Sequence, residues 1–140
     1  MIMQLTVFLQ NEKGRLASAT RTLAEAGINM HALFIADTQD FGIVRIFCDT
    51  PDEAAKALAE AGFRASLTPV VAVRVANEAG GLSKLLEFCD TQDMNIEYAY
   101  CFCVNNEAAV NVLKIEGEGV EAKLIEGGFA TVSPEEIYAA

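Results

Sequence analysis

Asn11-Glu12-Lys13-Gly14-Arg15-Leu16 returns 66 residues later as Asn77-Glu78-Ala79-Gly80-Gly81-Leu82. The same offset, without a gap, carries Asn29 onto Asn95, Val44 onto Val110, Leu58 onto Leu124, Glu60 onto Glu126, and Gly62-Phe63 onto Gly128-Phe129. A register held from Val7/Val73 to Phe63/Phe129 marks an internal repeat, and a repeat constrains the fold before any single element does. In each copy the quoted turn stands between an apolar strand pattern and a helical pattern. That turn is the first place to look for function.

Working outward from the turn, Met3, Leu5, Val7 and Leu9 alternate with Gln4, Thr6, Phe8 and Gln10. A period of two predicts a strand with one buried face. Val71, Val73 and Val75 alternate with Ala72, Arg74 and Ala76 in the same parity. After the turn, Leu16, Ala19 and Leu23 recur at helical spacing, and Gly27 offers a left-handed stop. In the second copy Leu82, Leu85, Leu86 and Cys89 form the apolar face of a helix that ends near Asp90 to Asp93.

Residues 29–36 and 95–104 read as second strands, and 42–48 and 108–115 as third strands. Val44 and Ile46, matched by Val110 and Val112, are expected to face the core, with Arg45 and Asn111 outward. Thr50-Pro51-Asp52-Glu53 predicts a helix start, with Thr50 as cap, Pro51 at the first helical position and Glu53 completing a capping box. That helix runs to about Ala61 and stops at Gly62. Its counterpart, from about Val120 to Glu126, follows Gly117 and Gly119 and should be shorter and weaker. Residues 65–68 and 130–132 supply fourth strands. Ser133-Pro134-Glu135-Glu136-Ile137-Tyr138 begins like a capped helical turn, and Ile137 and Tyr138 are candidates to pack back onto the body.

Each copy therefore reads β-α-β-β-α-β. The class is α+β: two ferredoxin-like repeats, each an antiparallel sheet with two helices on one face. Boundaries at 1–69 and 70–140 leave only Pro69 and Val70 between the copies. A domain of about 70 residues is marginal alone, so the repeats are expected to dock side by side.

Composition narrows the function. The chain of 140 residues has 20 acidic and 10 basic side chains, a net charge of −10. A phosphate-binding surface needs clustered Lys and Arg, so nucleic acid and anionic membranes are excluded as partners. No apolar run approaches the roughly 20 residues that span a bilayer, and the first residues show no signal peptide. Cys48, Cys89, Cys101 and Cys103 show no zinc spacing, which points to reduced thiols in a cytoplasm. With one histidine, no P-loop, no nucleophile–base pair and no metal cluster, neither a cofactor nor a catalytic residue is expected.

The element order, with N-x-x-G-x-L at the first strand–helix turn and Asn-hydrophobic at the start of the second strand, resembles the ACT domain family. The matching residues are Asn11, Gly14 and Leu16 with Asn29-Met30, and Asn77, Gly80 and Leu82 with Asn95-Ile96. The resemblance covers both copies. It extends to small stand-alone proteins made of two ACT domains, including a terminal Glu-Glu-Ile-Tyr. Many members place Pro before the motif glycine, whereas Lys13 and Ala79 stand there in this chain. What the resemblance implies is a regulatory module that binds small molecules, most often amino acids. Its ligands would lie where the first turn of one domain meets the second strand of its partner.

The residue types suit that chemistry. A helix start presents unpaired N–H groups and a partial positive charge to a carboxylate. Gly14 and Gly80 admit close approach because no Cβ intrudes, so residues 14–16 and 80–82 can offer N–H groups. Asn29 and Asn95 carry both donor and acceptor. Asn11 and Asn77 can bind ligand or brace the turn, and turn chemistry alone also accounts for these residue types. The copies are unequal: Lys13, Arg15 and His31 in the first answer to Ala79, Gly81 and Glu97 in the second. His31 either touches ligand, adding pH dependence, or is an ordinary polar residue. The candidate ligand-binding set is completed by Leu16, Met30, Leu82 and Ile96.

Cys101 and Cys103, two apart on a strand, are expected to share a face, with burial as small hydrophobes favoured over redox sensing. Tyr98, Tyr100 and Phe102 form the opposite stripe. The favoured function is a non-catalytic module binding an amino acid or a relative between the repeats. The alternative is a ligand-independent regulatory subunit that controls a metabolic enzyme in trans. The exposed sheet face also allows a homodimer.

Overall fold

The computed structural model describes residues 1–37 and 41–138. The side chains of Cys103 and Tyr138, both singled out above, lie outside the described set. The chain divides into two compact units, one of Met3–Thr68 and one of Pro69–Ala140 with Met1–Ile2. The first contains β1 (Ile2–Gln10), α1 (Arg15–Glu25), β2 (Met30–Asp37), β3 (Phe41–Cys48), α2 (Pro51–Glu60) and the opening residues of β4 (Arg64–Ala76). The second contains the remainder of β4, then α3 (Gly81–Thr91), β5 (Ile96–Val104), β6 (Ala108–Ile115), α4 (Val120–Glu126), β7 (Ala130–Thr131) and α5 (Pro134–Tyr138).

Within each unit the sheet is antiparallel, ordered β2-β3-β1-β4 in the first and β5-β6-β4-β7 in the second. Both are the ferredoxin-like order, and the α+β class is as expected. In the first unit Leu5, Val7 and Leu9 of β1 join Val44, Ile46 and Cys48 of β3 against Ala19 and Leu23 of α1 and Ala54 and Leu58 of α2. In the second, Val71, Val73 and Val75 join Leu113 and Ile115 against Leu85, Cys89, Val120 and Leu124. Both helices of each unit thus cover one sheet face.

The helix ends follow local chemistry, with one exception. Gly27 and Gly62 take left-handed conformations just past α1 and α2. Pro51 opens α2 as predicted, but the Thr50 side chain makes no capping hydrogen bond, so the expected box is absent there. Acidic Asp52 and Glu53 in its first turn still suit the positive end of the helix. A complete box instead opens α5. The Ser133 amide donates to Glu136 Oε2 at 3.0 Å, and the Glu136 amide donates to Ser133 Oγ at 3.3 Å.

Several expected core positions are corrected. Leu16, Leu82 and Leu86 are exposed, while Ala19, Leu23, Leu85 and Cys89 are buried. Residues 85 and 86 lie about 100° apart round the helix, so only the row containing Leu85 faces the sheet. Met3 is exposed, whereas Gln4 and Thr6 on the opposite parity are buried. Burial of these polar groups is matched by hydrogen bonds: Gln4 Nε2 donates to Thr6 Oγ1 at 3.1 Å, and Thr6 Oγ1 and Thr68 Oγ1 are bonded at 3.0 Å.

The gapless repeat register fails in one strand. Val7 pairs with Val44 in the first unit, but Val73 pairs with Asn111 in the second, one place beyond the equivalent Val110. The shift traces to β5, where the register slips between Cys101 and Cys103, a break with no counterpart in β2. A one-residue slip sends every side chain to the other sheet face. Asn111, expected outward, therefore shares the helix-covered face with Val73 and is buried. Val110 and Val112 are buried too, but on the opposite face, alongside Tyr100. The repeat register is regained at α4, where buried Leu124 again answers to Leu58.

Candidate functional site

Both turns are built from the same backbone geometry. Gly14 has φ 86° and ψ −9°, and Gly80 has φ 87° and ψ −6°, each capping the helix that follows. A Cβ built on either glycine would meet nothing within 4 Å. Glycine is required by the left-handed backbone, not by crowding within the chain. The turns also use some of the amides expected to face a ligand. Arg15 N–H donates to Glu12 O at 3.2 Å, and Gly81 N–H to Glu78 O at 3.0 Å. The amides of Leu16 and Leu82 are not drawn into these turn bonds.

The two turn asparagines of the repeat behave differently. Asn77 Nδ2 donates to Asn105 O at 2.6 Å, and Asn77 N–H donates to Glu107 O at 3.0 Å. Asn105 Oδ1 in turn accepts from the amides of Glu107 and Ala108 at 2.9 and 2.8 Å. Asn77 is thus a brace between two loops. Asn11 is exposed and makes no side-chain hydrogen bond to another described residue.

In the first unit a hollow of about 140 Å³ is lined by Leu9, Asn11, Glu12, Leu16, Ile35 and Gly42, among others. It joins two turn candidates, Asn11 and Leu16, to the second strand through Ile35. Lys13 and Gly14 are exposed beside it in sequence, but Asn29, Met30 and His31 do not line it. His31 is half-buried at a register break in β2, and Glu97 occupies the equivalent break in β5. In the second unit Gly80, Leu82 and Asn95 are exposed and Ile96 is half-buried. Of that unit's candidates Gly81 lines a hollow of about 210 Å³ with Arg74, Glu78, Lys84 and Phe129. Gly81 also has a packing role: a Cβ there would lie 2.1 Å from the Ala76 carbonyl oxygen.

Arg15 stands apart from the other turn candidates. It lines a larger hollow of about 460 Å³ with Phe8, Gln10, Phe41, Ile43 and Arg64. The guanidinium of Arg15 sits 4.8 Å from the Phe63 ring centroid, and that of Arg64 sits 5.3 Å from the Phe8 centroid. Sequence reasoning missed Phe8, Phe41 and Arg64. The available signal was a phenylalanine at an outward position of β1, among Gln4, Thr6 and Gln10.

Two of the described thiols, Cys48 and Cys89, are buried. Burial pushes the Cys48 thiol up to about 11 from its ordinary 9.0, despite a lowering backbone hydrogen bond at Thr50. Burial raises Cys89 as well. Cys101 is exposed, against expectation, on β5 at the edge of the second unit's sheet.

Fold and site together define a tandem ferredoxin-like protein whose glycine turns lead from strand to helix. The chain belongs to the ACT domain pair family, whose model matches residues 1–127. It is similar to protein BT0572 from Bacteroides thetaiotaomicron, at 36% identity over 99% of this chain and 96% of that one, with a TM-score of 0.91. The fold is shared with the regulatory subunit of aspartate kinase from Thermus thermophilus, at 21% identity, 90% coverage of both chains and a TM-score of 0.66. It is shared likewise with that from Thermus flavus, at 22% identity, 88% coverage of both and a TM-score of 0.64. A comparison with curated proteins finds no match.

Proposed function

We propose that this protein is a non-catalytic regulatory module that binds an amino acid or a close relative through its glycine turns. The observation that carries the reading is the hollow joining Asn11 and Leu16 to Ile35. At roughly 30 Å³ per water, its volume of about 140 Å³ holds about five waters, the scale of an amino-acid head group. The free side chain of Asn11 and the amide of Leu16 suit a carboxylate at the start of α1. Membership of the ACT domain pair family and the shared fold of two aspartate kinase regulatory subunits support a regulatory role. The buried thiols of Cys48 and Cys89 fit a reducing cytoplasm.

The first turn is the stronger site on this reading, because Asn77 is already committed to Asn105. The test is a thermal-shift screen against the twenty amino acids, with calorimetry on any hit. A selective hit of one equivalent per chain, weakened by Asn11→Ala, is expected. Two equivalents, or an affinity untouched by that substitution, would put the ligand elsewhere.

A second reading has an observation of its own. Leu33, Phe34 and Ile35 are exposed on β2, at the edge of the first unit's sheet. Such a strip suits a protein partner, such as a metabolic enzyme or a second copy of the chain. A flat amino-acid screen with stable capture of one enzyme from cytosol would favour it.

A further inference from the structure

The hollow of about 460 Å³ in the first unit differs in chemistry from the turn. Its volume falls within the roughly 300–1,000 Å³ typical of small-molecule sites. Two of its walls are Arg15 and Arg64, in a chain whose net charge is −10. Neither arginine is ion-paired among the described residues, and no carboxylate is among the described lining residues. Arg15 Nε is out of solvent and has no hydrogen-bond partner. A buried guanidinium N–H left unpaired is costly, and such a group commonly marks the place of a missing ion or ligand. Phe8, Phe41 and Ile43 supply the apolar wall, and Phe41 is 52% exposed.

The internal repeat provides a comparison. The hollow of about 210 Å³ in the second unit occupies the equivalent place, since Gly81, Gly128 and Ala130 there answer to Arg15, Gly62 and Arg64. It lacks counterparts of Arg15 and Arg64, and it is lined instead by Arg74, at the place of Phe8, with Glu78 and Lys84. The fold forms a depression at this place in both units, but the first sets two guanidinium groups there with no carboxylate among the described lining residues, while the second includes Glu78.

We infer that the first unit carries a separate site for a small apolar carboxylate without an ammonium group, of the 2-oxo acid class. Arg15 and Arg64 hold the carboxylate, for which the planar guanidinium fork is well matched. Gln10 serves the neighbouring polar oxygen, and the carbon body lies against Phe8, Phe41 and Ile43. An α-amino acid is rejected because its ammonium group would face two cations with no acid among the described lining residues to receive it. Specificity here comes from that repulsion as much as from the attraction of the carboxylate. Gln10 lines both this hollow and the one at the turn, but Arg15, Arg64, Phe8 and Phe41 line this one and Asn11 and Leu16 the other.

Calorimetry of the whole protein with phenylpyruvate, L-phenylalanine and inorganic phosphate tests the assignment. Phenylpyruvate is expected to bind one per chain, at least tenfold tighter than either of the others. Arg64→Gln should weaken it at least tenfold, Arg64→Lys by less, and Arg74→Gln and Asn11→Ala not at all. Arg64 is exposed, and matched thermal midpoints for the variants would establish that they fold. No binding of phenylpyruvate, equal binding of phenylalanine or of phosphate, or an affinity unchanged in Arg64→Gln would each overturn the inference. Loss of phenylalanine binding in Asn11→Ala with phenylpyruvate retained would separate the two sites directly.

Discussion

Single residues show where the turn tolerates change. Gly14 and Gly81 both lie in the repeated turns, yet they are glycine for different reasons. Gly14 needs a left-handed backbone with open space beside it, while Gly81 needs room beside the Ala76 carbonyl. Gly14→Ala should cost about 1–2 kcal/mol from handedness. Gly81→Ala should cost roughly 1–3 kcal/mol from forced displacement of backbone. Urea denaturation of the two variants checks both, and a neutral Gly81→Ala would show that the carbonyl moves freely. Gly14→Val, attractive as a pure probe of binding, would disturb folding for the same reason of handedness.

Cys48 makes a prediction about pH. Its thiol is held up to about 11 in the folded chain against an ordinary 9.0, because burial disfavours the thiolate. A raised value means that the folded state keeps its proton longer than the unfolded state does. The stabilisation is therefore fully present below about pH 9 and is lost as pH climbs toward about 11. Stability measured across that window should fall more steeply for the natural protein than for Cys48→Val, and parallel curves would contradict the burial argument.

Elements carry the differences between the repeats. The left-handed position after α1 is Gly27, but after α3 it is Asp93, with φ 56°. Asp tolerates this conformation better than most residues, yet glycine does so without strain. Asp93→Gly should stabilise the second unit by about 0.5–1 kcal/mol, readable as a higher denaturation midpoint. The slip in β5 and β6 sets the fate of Asn111, which lies on the helix-covered face with Val73. It is buried there. Asn111→Val, which restores the residue type of Val44 in the first unit, should gain about 1 kcal/mol. A loss of stability would mean that the amide is satisfied by water.

At the scale of the whole molecule, ligand binding should appear as mass action. A ligand that binds only the folded chain adds about 2.7 kcal/mol at a concentration of 100 Kd. For a chain of this size each kcal/mol moves Tm by roughly 2–4 °C, so a rise of about 5–10 °C is expected. The rise should grow with the logarithm of ligand concentration. A shift that instead grows linearly with concentration would point to a non-specific solvent effect.

The amino-acid sequence by itself determined the number of repeats, their element order and the place of the turns. These depend on local periodicity and on glycine's access to left-handed backbone, and both are written along the chain. It also marked which positions of β1 and β3 face the helices, because alternation is a local property. Tertiary structure alone decided the register of β6. One extra residue in β5 reversed its faces, and the local alternation of Val110 and Val112 with Asn111 gave no sign of it. It alone separated Asn77, tied to Asn105, from Asn11, since the partner lies 28 residues away. It alone brought Arg15 and Arg64 to one hollow across a unit's fold. Spacing along a chain carries short-range geometry, while convergence of distant side chains depends on how strands pair, and pairing is fixed by the packed whole.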